Sequence, residues 1–189
     1  MNYKSENSGI NRRFLLRGGA GLLFAGLLFR PKVVWAKEYL TPDQARKLIW
    51  GDKAFAAHPV TLTKPQMKSI KKASKTRVRN KKLNAFKSAE NDWFLLDQVV
   101  GKHEFIDIGV GIDGLGKVKG IEILEYRETY GYEIANPKWR AQFTGRDSSE
   151  HLKLDKQVKN ISGATLSCRH ITDAINRLTH TWDQVLKPL

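Results

Sequence analysis

Cysteine is nearly absent from this sequence. The single thiol among 189 residues, Cys168, excludes an intramolecular disulfide and any cluster built on several thiolates. Long hydrophobic runs are also missing: the most apolar stretch, Gly18 to Phe29, has 12 residues, whereas a membrane-spanning helix needs about 20. Acidic residues are scarce beside basic ones, 19 against 33, which leaves a formal net charge of +14. The five histidines, His58, His103, His151, His170 and His180, are scattered, with no helical pair beside a carboxylate of the kind that holds a catalytic zinc. No phosphate-binding glycine loop, no dinucleotide fingerprint and no internal repeat is present, so the motif-bearing nucleotide hydrolases and dehydrogenases have no signature here.

What is present starts at the N-terminus. Asn11-Arg12-Arg13-Phe14-Leu15-Leu16-Arg17 precedes the short apolar run, and Val34-x-Ala36 follows as a small-residue cleavage site. Residues 1–36 thus read as a signal peptide, and the mature chain is expected outside the cytoplasm. The paired arginines resemble a twin-arginine export signal, with Asn11 in place of the usual hydroxyl residue and Leu15 in place of the usual Phe. An ordinary secretory signal that happens to contain two arginines is the alternative. Either route implies the periplasm or the outer face of the inner membrane.

Charge is distributed unevenly. The first 36 residues hold six basic residues and Glu6, so +9 of the total belongs to the remainder. Between Lys64 and Lys82 lie nine basic residues and no acidic one. Such a run is either a solvated face or a surface for anionic lipid or an acidic protein. Export argues against nucleic acid as a partner.

Thr41-Pro42-Asp43-Gln44 has the hydroxyl cap and first-position proline of a helix start, and Thr63 opens a second candidate helix through about Ala73, with Met67 and Ile70 inward. From Asn91 the period becomes that of strands. Trp93 to Val100 is apolar on both faces, and His103 to Asp113 alternates, with Ile106, Ile108, Val110 and Ile112 opposite Phe105, Asp107, Gly109 and Gly111. Those glycines leave room for something close to their face. Asp113 to Gly116 is a turn, after which Lys117 to Tyr126 returns with a bulge expected at Gly120. Asn136-Pro137 opens a short helix that carries Trp139 and Phe143 into the core, and His151 to Leu154 is a short strand candidate. The expected architecture is α+β, an antiparallel sheet with helices packed on it over residues 91–189, preceded by a mostly helical, basic region over 37–90.

The most regular helical pattern follows Ser162-Gly163-Ala164-Thr165, with an apolar stripe at Leu166, Ile171, Ala174, Ile175, Leu178, Trp182 and Val185. Thr165 falls in the first turn, where unpaired backbone amides and the helix dipole favour an anion such as phosphate. The plainer alternative is that Ser162 and Thr165 only cap the helix. Cys168, one turn in, reads as a small buried filler.

Ser162-Gly163-Ala164-Thr165, together with the glycine-containing hairpin and Glu128-Thr129-x-Gly131, resembles the FMN-binding domain found in the sodium-pumping NADH:quinone reductase and in the Rnf electron-transport complex. The resemblance runs from about Ile106 to Leu178. It implies that FMN is bound, esterified through its phosphate to Thr165 by a flavin transferase, and that the flavin rather than any catalytic side chain carries the redox chemistry. Ser162, Gly163 and Ala164 would shape the attachment loop. Glu128, Thr129, Tyr130 and Gly131 would form a second binding loop, in which Tyr130 or Tyr132 stacks on the flavin ring or packs the loop. Arg169, one turn beyond Thr165, would pair with the phosphate or stand as an exposed helix arginine.

Two departures from the family pattern are visible. Lys159 stands where an aspartate is usual, three residues before the motif serine, and Tyr130 and Tyr132-Glu133 replace a proline and a Leu-Gly pair. The implied role is an electron carrier serving a redox partner protein or membrane complex. A flavin-free exported module that binds acidic protein or anionic lipid through its basic face is the alternative.

Overall fold

The computed structural model describes residues 37–189; the signal segment, with its paired arginines and Val34-x-Ala36, lies outside the described residues. The helix starts form as their sequences dictate. Helix α1 (Pro42–Trp50) and helix α2 (Lys64–Ser74) each open with a capping box, in which Thr41 or Thr63 accepts from the third helical amide while Gln44 or Gln66 reaches back to the cap. One face of α2 turns Met67 and Ile70 inward and leaves its lysines in solvent.

Three long antiparallel strands, β5 (Trp93–Val100), β6 (Phe105–Ile112) and β7 (Val118–Tyr126), make the centre of the sheet. The expected bulge is present: Gly111 pairs with Gly120 but Ile112 pairs with Val118. Residues 37–90 add four strands that periodicity did not reveal: β1 (Lys37–Glu38), β2 (Ala56–Ala57), β3 (Val60–Thr61) and β4 (Lys82–Lys87). The order across the sheet is β1-β7-β6-β5-β4-β2, with β3 also pairing to β4. The basic N-terminal region is therefore woven into the sheet as well as helical. His151 to Leu154 is not a strand, since Leu154 makes only an isolated bridge to Val158.

Two apolar layers sandwich the sheet. The larger places Ile106, Ile108, Val110 and Ile112 under helix α4 (Thr165–Thr181), whose Ile171, Ala174, Ile175 and Leu178 are all buried. Burying an aliphatic side chain of this size contributes about 1.5–3 kcal/mol, so this stripe anchors the helix firmly. The smaller layer packs Ala45, Ile49 and Trp50 of α1 on Phe94 and Leu124. The space left by the sheet glycines belongs to this second layer: a Cβ on Gly111 would lie 2.6 Å from Ile49 Cγ2, and one on Gly109 would lie 2.7 Å from Phe94 Cζ. The close neighbour of those glycines is the protein's own helix and phenylalanine, on the face opposite α4. Helix α3 (Pro137–Arg140), capped by Asn136, continues into a 3-10 turn that buries Trp139 and Phe143 edge to face. No helix among the described residues is long and apolar enough to cross a membrane.

Candidate flavin attachment site

Thr165 is the first residue of α4, and neither it nor Ser162 caps the helix; the cap position is Ala164, with no side-chain hydrogen bond. The capping alternative thus fails in this structure, and the Thr165 hydroxyl is not consumed by the helix. Its only hydrogen bond among the described residues is accepted from Asn160 Nδ2 at 3.2 Å. The amides of Thr165, Leu166 and Ser167 have no intrahelical acceptor because of their position, which leaves a cluster of donors at the positive end of the dipole. Gly163 reaches the helix with a positive φ of 85°, and a Cβ there would meet nothing within 4 Å. Arg169 is exposed, four residues on, and forms no ion pair among the described residues. Two cavities, of about 430 and 460 Å³, lie elsewhere, and neither is lined by Thr165.

The two motif loops meet. Gly131, at φ 90°, lies against Ala164 so closely that a Cβ on it would stand 2.8 Å from Ala164 Cβ and 2.8 Å from the Tyr126 hydroxyl. Tyr126 is buried beneath this junction, donating its hydroxyl to the Tyr130 carbonyl while hydrogen-bonding Ser167 of α4. Burial pushes the Tyr126 hydroxyl above its ordinary value, so it stays a neutral donor. Around the junction Tyr130, Tyr132 and Leu166 are 79%, 60% and 39% exposed, an unusual concentration of bare apolar surface.

The other loop residues divide. Thr129 is exposed beside Tyr130. Glu128 turns away: its carboxylate accepts from the amides of His103 and Glu104 and packs on Gly101, so it fastens the β5–β6 turn. The structure therefore joins Gly131 to Ser162-Gly163-Ala164-Thr165 and leaves Glu128 holding a different loop.

The segment before the motif is held from α3. The Lys159 amide donates to Gln142 Oε1 at 2.8 Å, and its carbonyl accepts from Trp139 Nε1 at 2.7 Å, while the Lys159 residue is exposed. Trp139 and Gln142 were not legible as site residues, because only the fold brings them to a loop some 20 positions away in the chain. Cys168 is buried, and desolvation raises its thiol above the ordinary range, which makes it an inert filler. Among the described residues no group of His, Cys, Asp and Glu is arranged to hold a metal.

A hydroxyl on a half-buried helix start, unpaired amides, an exposed arginine one turn on and exposed tyrosine faces are groups that can hold a phosphorylated aromatic ligand. Residues 101–180 match the family model of the FMN-binding domain. The chain carries an FMN-binding domain. That domain covers β6, β7, both motif loops and nearly all of α4, so the geometry described above lies inside it. No curated protein matches the chain.

Proposed function

We propose that the protein is an exported flavoprotein that holds FMN as a phosphoester on Thr165 and carries electrons between a donor and an acceptor at the outer face of the inner membrane. The observation that carries this reading is the Thr165 hydroxyl, which donates no hydrogen bond among the described residues and sits among unpaired amides at the start of α4. A flavin transferase would place FMN there, and the flavin would supply one- and two-electron chemistry. The amides of Thr165, Leu166 and Ser167 would receive the phosphate oxygens, with Arg169 as the nearby countercharge. Ser162 and Gly163 keep the approach to the threonine open, while Ala164 and Gly131 fix the second loop beside it. Tyr130 and Tyr132, both exposed, offer faces on which an isoalloxazine ring can stack. In this reading the flavin carries the redox chemistry, no side chain need act as a general acid or base, and the acceptor is a redox partner protein or membrane complex.

The test is expression with a flavin transferase followed by a denaturing gel. Flavin fluorescence should remain with the wild-type band, survive in Thr165→Ser, and vanish in Thr165→Val. A native protein that purifies colourless would defeat the flavoprotein reading and leave the flavin-free binding module in its place.

A further inference from the structure

The nine basic residues between Lys64 and Lys82 are all exposed, and none forms an ion pair among the described residues. This basic face leads directly to the cavity of about 460 Å³, which is bounded by Lys75, Arg77 and Arg79 on one side and by His170 and Asp173 of α4 on the other. Phe105, 46% exposed, contributes an apolar wall. The carboxylate of Asp97 inside the cavity is already paired with Arg177. His170 and Asp173 follow Thr165 by five and eight residues on the same helix. At 1.5 Å per residue the cavity therefore begins roughly 8–12 Å along the axis from the attachment position.

From this arrangement we infer that the face is the docking surface for an acidic protein, whose carboxylates meet Lys75, Arg77 and Arg79 while an apolar side chain between them enters the cavity beside Phe105. The inference rests on the electron-carrier reading for its purpose, since a partner seated here lies next to the flavin end of α4. Charge complementarity identifies the partner as acidic: unpaired cations of one sign steer an oppositely charged protein and set its orientation. Concavity identifies it as a protein. A lipid surface is flat and cannot fill a cavity, and no large apolar side chain is exposed anywhere between Lys64 and Lys82 to anchor in a bilayer.

The experiment uses the mature chain, with and without loaded flavin, and a fluorescein-labelled cyclic peptide in which one leucine is flanked on each side by two glutamates. Equimolar phosphatidylglycerol and phosphatidylcholine vesicles serve as the lipid comparison. The peptide should bind, and its affinity should fall about tenfold or more in Arg77→Glu/Arg79→Glu and with added salt. It should change less than about twofold in Lys117→Glu/Lys119→Glu, an equal charge reversal at the opposite end of β6 and β7. Absence of peptide binding, or binding indifferent to the Arg77 and Arg79 reversal, overturns the inference. Vesicle binding that the reversal abolishes, without peptide binding, assigns the face to lipid and overturns it as well. All substituted positions are exposed, and circular dichroism confirms that each variant is folded. Peptide binding does not require flavin, so the docking inference and the flavin reading fail separately, the second on gel fluorescence alone.

Discussion

Gly131 and Gly163 have nearly the same backbone conformation, φ 90° and φ 85°, yet they carry different constraints. For Gly163 the left-handed conformation is the whole constraint, because a Cβ there meets nothing; a residue that tolerates this region should cost about 1 kcal/mol. For Gly131 the same conformational cost is joined by two contacts at 2.8 Å, one to Ala164 and one to the Tyr126 hydroxyl, where only a shift of the loop makes room. Overpacking of this kind adds about 1–3 kcal/mol. Gly131→Ala should therefore destabilise the fold by about 3 kcal/mol, a fall of roughly 6–12 °C in Tm for a chain of this size, and should slow flavin loading because Ala164 adjoins Thr165. Gly163→Asn should lower Tm by no more than roughly 4 °C. Thermal melts of the two variants check this, and equal losses would mean that the Gly131–Ala164 contact is not what joins the loops.

At the level of elements, α3 and its following turn act on the loop that precedes Thr165 through Trp139 and Gln142, which grip the Lys159 backbone on both sides. Gln142→Leu removes the acceptor of an amide in an exposed residue, which water can replace, so the stability cost should be about 1 kcal/mol. Faster hydrogen exchange at Lys159 and slower flavin incorporation are the expected signs that the loop has loosened. Lys159→Asp, which introduces the residue usual in the family, should raise the incorporation rate without changing Tm; an unchanged rate would show that the transferase does not read this position.

How much of this was legible varied by element. Thr41-Pro42 and Thr63-Pro65 mark their helices because caps and prolines act locally, and β5 to β7 are visible because alternation does. Strand β4 was hidden: Leu83, Ala85 and Phe86 continue a lysine-rich run, and their strand character comes from pairing with Phe94 to Leu96. The sheet glycines declared that something lies close, but that this is Ile49 and Phe94 is a tertiary fact. The same holds for the meeting of Gly131 and Ala164, and for the turning of Glu128 toward the β5–β6 turn.

For the molecule as a whole, acid stability above about pH 5 depends on two imidazoles. His151 and His180 are both held below the ordinary value of 6.5, primarily by burial, and His151 is further opposed by Lys75 and Lys153. The buried His151 Nδ1 also has no hydrogen-bond partner. An imidazole with a depressed folded-state value binds a proton more readily in the unfolded chain, so stability rises with pH through the window just below 6.5 and is lost as pH falls through it. The net charge of +14 acts in the same direction, since every added proton increases self-repulsion. Glu90 and Asp147, held low by hydrogen bonds, lose their contributions only as pH falls below the ordinary carboxylate values of 4.5 and 3.8. Asp173, raised by burial, opposes the trend from 3.8 up to its shifted value. Tm should therefore drop between about pH 7.5 and pH 5.5 in the native protein, and the drop should be smaller in His151→Gln/His180→Gln, which keeps size and polarity but cannot titrate. Parallel curves for the two proteins would place the acid sensitivity in the general charge of the chain rather than in these two side chains.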